Sequence, residues 1–419
     1  MLSFRKRKIK NREDINNSST FCMLPWVHLY ISPAGKVNPC CISSWEDDVG
    51  DVNESSIEEI WNGKKMKKVR SRMLRDLKIK GCWQCYENER LGLRSNRQVS
   101  NFCYSHKMDW VESTKGNGYA PESKPIYWDL RITNLCNFKC RICNHHSSSK
   151  LYDEAVKLGT TAYPTRVHYS MKDFDRVMGQ LNPIIPDIEE IYFAGGEPLI
   201  MDEHYHILNL LIDNNKTNVK LRYATNFSTS RFKGRDVFKL WNAFDEVYLH
   251  TSLDGSGKRG EYQRKGQVWK DVISERKRLK EVCPHVQFMI SPTVSIFNAI
   301  HLPDFHREWV DLDFIKVDDL IPNALKNPPE YNIRVLPGML KKSVEKKYLN
   351  HIEWLKSFSP EKYVKLEIVI NEYKSVLNYM NAEDQSHLIP DFINKCNQLD
   401  EWRNEDTASV FPELAPIFQ

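Results

Sequence analysis

Between residues 126 and 321 the chain repeats one alternation, which restricts its fold more than any other feature. Strand-like runs appear as IYWDLRI from 126, EIYFAG from 190, VKLRYAT from 219, EVYLHTSL from 246, VQFMISPTVSI from 286 and FIKVDDLI from 314. Helical candidates lie between them at 171–181, 202–215, 235–242 and 268–282. Strands that alternate with helices pair in parallel through right-handed crossovers, so the pattern predicts an α/β sheet wrapped into a full or partial barrel. Chemistry in such folds gathers at the carboxyl ends of the strands.

The flanks read differently. Residues 1–20 are polar and expected to be loose, with a basic run at 5–10. From Phe21, FCMLPWVHLYISPAGKVNPCC suggests two strands around a turn at SPAG, which would bring Cys22 and Cys40 together. A helix is expected next, opened by a Ser55/Glu58 capping box, striped by Ile57, Ile60, Trp61, Val69, Met73, Leu74 and Leu77, with an interruption at Asn62-Gly63, and closed at Gly81. CWQC follows directly. Residues 113–125, STKGNGYAPESKP, have linker composition, and from about 337 onward the pattern is helical. The expected organisation is a flexible basic tail over 1–20, a cysteine-rich unit over 21–112, a linker over 113–125, a barrel over 126–320 and a helical extension over 321–419.

With 41% hydrophobic and 27% charged residues, the composition is that of a globular chain. Its apolar runs are strand-sized, short of the roughly 18–20 residues that a bilayer span needs. The basic start has no apolar stretch behind it and does not read as a secretory signal, so a cytoplasmic setting is expected. There thiols stay reduced, and eleven cysteines are better read as metal ligands than as disulfides. A net charge of +5, densest at 5–10 and 64–80, does not by itself indicate nucleic-acid binding.

Cys136, Cys140 and Cys143 follow the first barrel strand. Thiolates suit zinc, copper(I) or iron-sulfur clusters. A structural zinc site needs a fourth ligand, which His145 or His146 could offer; a [4Fe-4S] cluster on three thiolates leaves one iron open.

CNFKCRIC resembles the CxxxCxxC signature of the radical S-adenosylmethionine (radical SAM) superfamily, and further motifs agree in order. The resemblance implies a partial (β/α)6 barrel. In YFAGGEP it assigns Gly195, Gly196, Glu197 and Pro198 to the methionine amino group; in ATN and TSLDG it assigns Thr225, Asn226, Ser252 and Asp254 to the methionine carboxylate and the ribose hydroxyls. Arg264 in EYQRKG would pair with the carboxylate, and Val294 and Asn298 would lie near the adenine. Ile142 stands where relatives often carry an aromatic ring by the adenine, so contact without stacking is expected. The implied chemistry is reductive cleavage of S-adenosylmethionine to a 5′-deoxyadenosyl radical, with an external flavodoxin- or ferredoxin-type electron donor.

Cys22, Cys40, Cys82 and Cys85 provide four thiols, with Cys41 spare. Their spacing resembles the twitch form of the SPASM auxiliary domain, which implies a second [4Fe-4S] cluster; a zinc ribbon fits the same ligands. In relatives this domain usually follows the barrel, whereas here it precedes it. The segment FPEL at 411–414 also resembles twitch-domain radical proteins. Cys103, Cys283 and Cys396 read as buried small residues, with Cys103 also considered as an alternative auxiliary ligand; His28, His204 and His250 read as structural more readily than as proton acceptors, and DFHREW at 304–309 reads as a solvated helix face. The expected enzyme oxidises or crosslinks an unknown substrate with help from the auxiliary cluster. Peptide modification, suggested by EYQRKG, is the alternative within that class; a zinc-stabilised nucleic-acid binder is the alternative outside it.

Overall fold

The computed structural model describes residues 8–90, 92, 94–161 and 163–418. The chain forms two compact units: Met1–Leu135 with Tyr163–Arg222 and Ala243–Asp245, and Cys136–Ala162 with Tyr223–Asn242 and Glu246–Gln419. The main sheet has eight strands, paired mainly in parallel with antiparallel hairpin strands at its edge, which makes the protein a mixed α/β structure.

In the first unit the strands are β1 (His28–Ile31), β2 (Lys36–Asn38), β3 (Gly50–Asp51), β4 (Tyr127–Leu130) and β5 (Glu190–Phe193). A further strand, β6 (Lys220–Thr225), gives its first three residues to this unit and its last three to the other. β1 lies parallel to β4 with Tyr30 opposite Asp129, and β4 lies parallel to β5 with Asp129 opposite Tyr192. The cysteine-rich hairpin thus extends the sheet of the first barrel strand. Leu29, Ile31, Trp128, Leu130, Ile191 and Phe193 fill one face and are fully buried, which fixes the register because a slip of one residue would turn them all outward.

Several local expectations shift here. Leu24–Val27 is a helical turn, not strand, because Pro25 sits at its first turn with its φ already set for a helix. Two overlapping Ser-x-x-Glu pairs exist, and the capping box that closes is Ser56/Glu59, one residue later than expected. The helix breaks at Asn62-Gly63, as expected, into Ile57–Trp61 and Lys64–Leu74, but it stops well before Gly81. Asp76 takes a left-handed φ of 55° there, and its carboxylate accepts from Ser18 Oγ and Thr20 Oγ1, both at 2.7 Å. Those bonds also tie down the supposed loose tail: Arg12–Asn17 is a helix with its own capping box, and Ile9 and Ile15 are buried. Residues 1–7 of that tail lie outside the described residues.

The second unit contains β7 (Glu246–Thr251) parallel to β8 (Gln287–Ile290), with Leu249 opposite Phe288. The sixth expected strand, from 314, is reduced to a bridge between Ile290 and Leu320 and a two-residue pairing of Thr293–Val294 with Asn323–Ala324. Asp319 explains the loss: its carboxylate accepts from Lys316 N at 3.1 Å, and this local bond turns the chain where a strand would extend it. Trp269–Val282, Gly338–Lys356, Leu366–Asn381 and Ile389–Arg403 are helices. Leu302–Asp311, expected as a solvated face, buries Phe305, His306 and Trp309; His306 Nδ1 lies 3.0 Å from His351 Nε2, and burial lowers the pKa of His306 to about 3. Cys103 departs the other way, being exposed at the end of the helix Asn96–Cys103.

Candidate active site

The loop after Leu135 gathers Cys136, Phe138, Cys140 and Cys143 into one small cluster in the second unit. Cys136 N donates to Ser149 Oγ at 3.2 Å, Ser148 Oγ donates to Phe138 O at 2.6 Å, and Cys143 N donates to Cys140 O at 3.1 Å. Lys139–Cys140 pairs antiparallel with Arg264–Lys265, placing Arg264 Nη1 3.7 Å from Cys140 Sγ. Burial raises all thiol pKa values that depart here, that of Cys143 to about 12, with Cys140 and Cys136 adding to it; Arg264 opposes the rise at Cys140. Buried thiols reluctant to ionise alone are a donor set completed by a cationic metal centre, which releases their protons on binding. The set fits the expected cluster.

Long-range ion pairs brace this loop. Arg141, its side chain wholly buried, donates to Asp400 and, at 2.8 Å, to Glu405, and its guanidinium lies 3.8 Å from the Tyr262 ring centroid. Arg403 pairs with Glu154 at 2.7 Å and donates to Lys139 O at 2.9 Å. The helix Ile389–Arg403 therefore grips the cysteine loop directly. Sequence reading missed Arg141, Glu154, Asp400 and Arg403; nothing local marks them, since partners lie some 250 residues apart.

The remaining expected contacts in this unit are ordered by one another. Asn226 Nδ2 donates to Asn137 Oδ1 at 2.8 Å, and its Oδ1 accepts from Ser228 N. Thr225 Oγ1 accepts from Phe227 N at 3.0 Å, and Thr225 O accepts from Ser252 N at 2.8 Å. Asp254 pairs with Arg264 at 2.8 Å and accepts from Thr293 N at 2.9 Å; Asn298 donates to Asp254 O and accepts from Ser295 N. Val294 is buried beside that network, and Ile142 is half-buried. Arg264 is thus already engaged by Asp254 and Cys140, and the carboxylate pairing expected of it has these as competitors.

In the first unit Gly195 and Gly196 take positive φ values of 80° and 54°, and a Cβ on Gly196 would lie 2.2 Å from Leu135 O. Only glycine fits that approach. Glu197 N donates to Leu135 O at 2.8 Å, Glu197 Oε1 accepts from Leu199 N, and Pro198 begins a buried turn.

Cys22, Cys40, Cys82 and Cys85 line one cavity, partly open to solvent, together with Asn96 and Arg97. Among the described residues no three His, Cys, Asp or Glu side chains are arranged for a single metal ion. Burial raises the pKa of Cys82 to about 12 and also that of Cys85, where the backbone N–H groups of Arg97 and Asn96 oppose it. Asn96 Nδ2 donates to Cys40 Sγ at 3.4 Å. Arg97 is held by Glu89 and by Ser18 O and Phe21 O. Asn96 and Arg97 escaped the sequence reading, although the Ser95/Gln98 capping box that aims them was legible as Ser-x-x-Gln.

Of the histidines weighed as proton acceptors, His28 is buried against Tyr127 with its pKa lowered to about 4 by burial, His204 is buried beside Phe193, and His250 Nδ1 lies 3.3 Å from Ser291 Oγ.

Two family models match segments that contain these two sets of thiols. Residues 22–86 match an iron-sulfur cluster-binding domain, SPASM, and residues 130–294 match the radical SAM superfamily. A 7,8-dihydro-6-hydroxymethylpterin dimethyltransferase of Methanocaldococcus jannaschii is 26% identical over 169 residues, 40% of this chain and 29% of that protein. The chain therefore spans under a third of that relative's length. Among solved structures, "Native anSMEcpe with bound AdoMet and Cp18Cys peptide" overlaps with a TM-score of 0.38 at 17% identity, covering 55% of this chain and 59% of the other. "Structure of TYW1 with a lysine-pyruvate adduct bound" overlaps with a TM-score of 0.31 at 12% identity, covering 56% and 72%. The radical SAM domain implies a [4Fe-4S] cluster and S-adenosylmethionine, and the SPASM domain implies a further iron-sulfur cluster. The chain therefore carries a radical SAM domain over residues 130–294, with a SPASM domain placed ahead of it over residues 22–86.

Proposed function

We propose that this protein uses Cys136, Cys140 and Cys143 to hold a [4Fe-4S] cluster with one open iron, and Cys22, Cys40, Cys82 and Cys85 to hold an auxiliary [4Fe-4S] cluster. Bound there, the reduced cluster and S-adenosylmethionine supply a 5′-deoxyadenosyl radical. What carries the reading is the gathering of Cys136, Cys140 and the partly buried Cys143 in one loop inside the matched radical SAM segment.

The chain's own part is positioning and exclusion of water. Glu197 accepts from the methionine ammonium, while Gly195 and Gly196 let backbone approach it and Pro198 fixes the turn. Thr225, Asn226 and Ser252 receive the carboxylate and ribose; Val294, Asn298 and Ile142 border the adenine. Arg264 and Asp254 act together, the guanidinium lying beside the Cys140 sulfur and the carboxylate keeping it there. The substrate would be oxidised or crosslinked, and an auxiliary cluster held by Cys22, Cys40, Cys82 and Cys85 would provide an acceptor for the second electron. An external flavodoxin- or ferredoxin-type protein reduces the radical cluster. The division into tail, auxiliary domain, linker, barrel and helical extension serves this chemistry.

The test is anaerobic reconstitution followed by dithionite and S-adenosylmethionine. Release of 5′-deoxyadenosine is expected, with complete loss in Cys140→Ala. A His, Asp or thiol bound at the fourth iron in the resting protein, or zinc in the second thiol site, would contradict the corresponding half of the reading.

A further inference from the structure

Parallel strands usually carry apolar side chains on both faces, because helices cover both. In the first unit only one face of β1, β4 and β5 obeys. On the other, His28, Tyr127 and Glu190 stand in one cross-strand row and Tyr30, Asp129 and Tyr192 in the next. Arg131, just past β4, and Arg222, on β6, complete this polar face. Such a run of aromatic and charged side chains in the middle of a parallel sheet contributes nothing that leucine or valine would not supply better for packing alone.

The two arginines are arranged alike. Arg131 donates from Nε and Nη2 to Asp129 at 2.7 and 3.1 Å, and Arg222 donates from Nη1 to Glu190 at 2.9 Å. Both guanidiniums lie by the ring of Tyr192, 5.0 and 5.3 Å from its centroid, and Arg131 is also 5.8 Å from the Tyr30 centroid. The carboxylates are the inner layer and the guanidiniums the outer one. Side chains of Asp129 and Glu190 are 0% and 10% exposed, against 20% and 36% for Arg131 and Arg222. Arg131 Nη1 and the second amino group of Arg222 make no hydrogen bond among the described residues.

Burial works against both positive charges, but Asp129 and Glu190 outweigh it, so both guanidiniums hold their protons more firmly than a free arginine. Each arginine therefore keeps its charge, has its position fixed by a carboxylate behind it, and offers its free edge forward. Two fixed guanidiniums flanking one aromatic ring match the geometry of a carboxylate or phosphate better than that of any neutral group. Arg131 also touches the glycine motif: a Cβ on Gly195 would lie 3.2 Å from Arg131 Cβ and Cδ.

We infer that Arg131 and Arg222, held by Asp129 and Glu190 on either side of Tyr192, form a binding site for an anionic group, a carboxylate or phosphate, of the substrate. That the anion belongs to the substrate rests on the function proposed above; that the site binds anions does not. Tyr192 supplies the stacking surface that keeps the guanidiniums apart, and the free Nη groups make the charge-assisted bonds.

Calorimetric titration of the reconstituted holoenzyme, with S-adenosylmethionine saturating, tests this, because the cofactor's own carboxylate is then already placed. Inorganic pyrophosphate and succinate are the two probes, and the one that binds identifies phosphate or carboxylate as the preferred anion. At least one is expected to bind once per chain, with affinity reduced about tenfold or more in Arg222→Gln, the loss of a charge-assisted bond in a confined site. Arg131→Lys keeps the charge over Asp129 but loses the fork, and about a threefold or greater loss is expected, since one donor of several is removed. Circular dichroism of both variants establishes that they are folded. Absence of binding by either probe, or binding unchanged in both folded variants, overturns the site. Release of 5′-deoxyadenosine is followed in parallel: its absence with arginine-dependent anion binding would count against the radical function alone, and its presence without such binding against this site alone.

Discussion

Glu413 shows how one carboxylate sets a pH limit. It accepts from both ends of the Arg259 guanidinium and lies 2.7 Å from His301 Nε2. Burial would raise its pKa, but the bonds from His301 and Arg259 win and hold it at about 2, below its usual 4.5. His301 moves oppositely: burial lowers its pKa, yet Asp304 and Glu413 raise it above 6.5. A carboxylate depressed on folding contributes stability above 4.5 that is lost as pH falls toward 2, and a raised histidine contributes stability below 6.5 that is lost as pH climbs through its folded value. Glu413→Gln is therefore expected to lower stability at pH 5–6 and to flatten the acid limb between about 4.5 and 2, read by urea unfolding across pH. An unchanged acid limb would remove Glu413 from this role. The glutamate belongs to FPEL at 411–414, whose neighbour Phe411 is fully buried against Tyr262, so the motif works as an anchor.

At the scale of elements, the helix Asn96–Cys103 aims its amino end at the auxiliary thiols. Ser95 caps it, and the N–H groups of Asn96 and Arg97, unused within the helix, are directed at Cys85. Positive helix ends and N–H···S bonds favour the more reduced, more negative state of a thiolate-bound centre. Asn96→Ala removes the bond to Cys40, so the auxiliary midpoint potential is expected to fall by about 40 mV, the one-electron equivalent of about 1 kcal/mol. Potentiometry followed by electron paramagnetic resonance reads this independently of turnover, and an unshifted potential would exclude the helix from tuning. The break between Ile57–Trp61 and Lys64–Leu74 is a comparable case of local chemistry: Gly63 begins the second helix as its cap, and the Asn62 side chain accepts from Arg70 instead of continuing the first.

For the whole molecule, the C-terminal helices decide whether the cysteine loop keeps its shape. Arg403 is 3% exposed and bridges Glu154 and Lys139 O, so Arg403→Ala leaves the buried Glu154 with only Lys139 Nζ at 3.6 Å as its ion-pair partner, a change expected to cost about 1.5–3 kcal/mol. Iron content and visible absorbance after reconstitution should drop for the radical cluster while the auxiliary cluster still loads; equal loading of both would show that the brace is dispensable. The cysteine spacing, the glycine motif and most strands were legible because each is written in contiguous residues. The sixth strand was not, since Asp319 folds back on Lys316 where the apolar pattern alone suggested extension. Nor was the polar face of Arg131, Tyr192 and Arg222, although the alternation in YWDLRI and LRYAT hints at it once the strands are paired. By itself the sequence determined the cysteine spacings, the α/β alternation and the radical SAM and SPASM motifs, because spacing and periodicity act through the backbone nearby. Only the tertiary structure decided that Arg141 meets Asp400, that Arg264 is taken by Asp254, and that two arginines flank one tyrosine. Such pairings follow from which surfaces pack and which loops close, and no local rule of spacing encodes them.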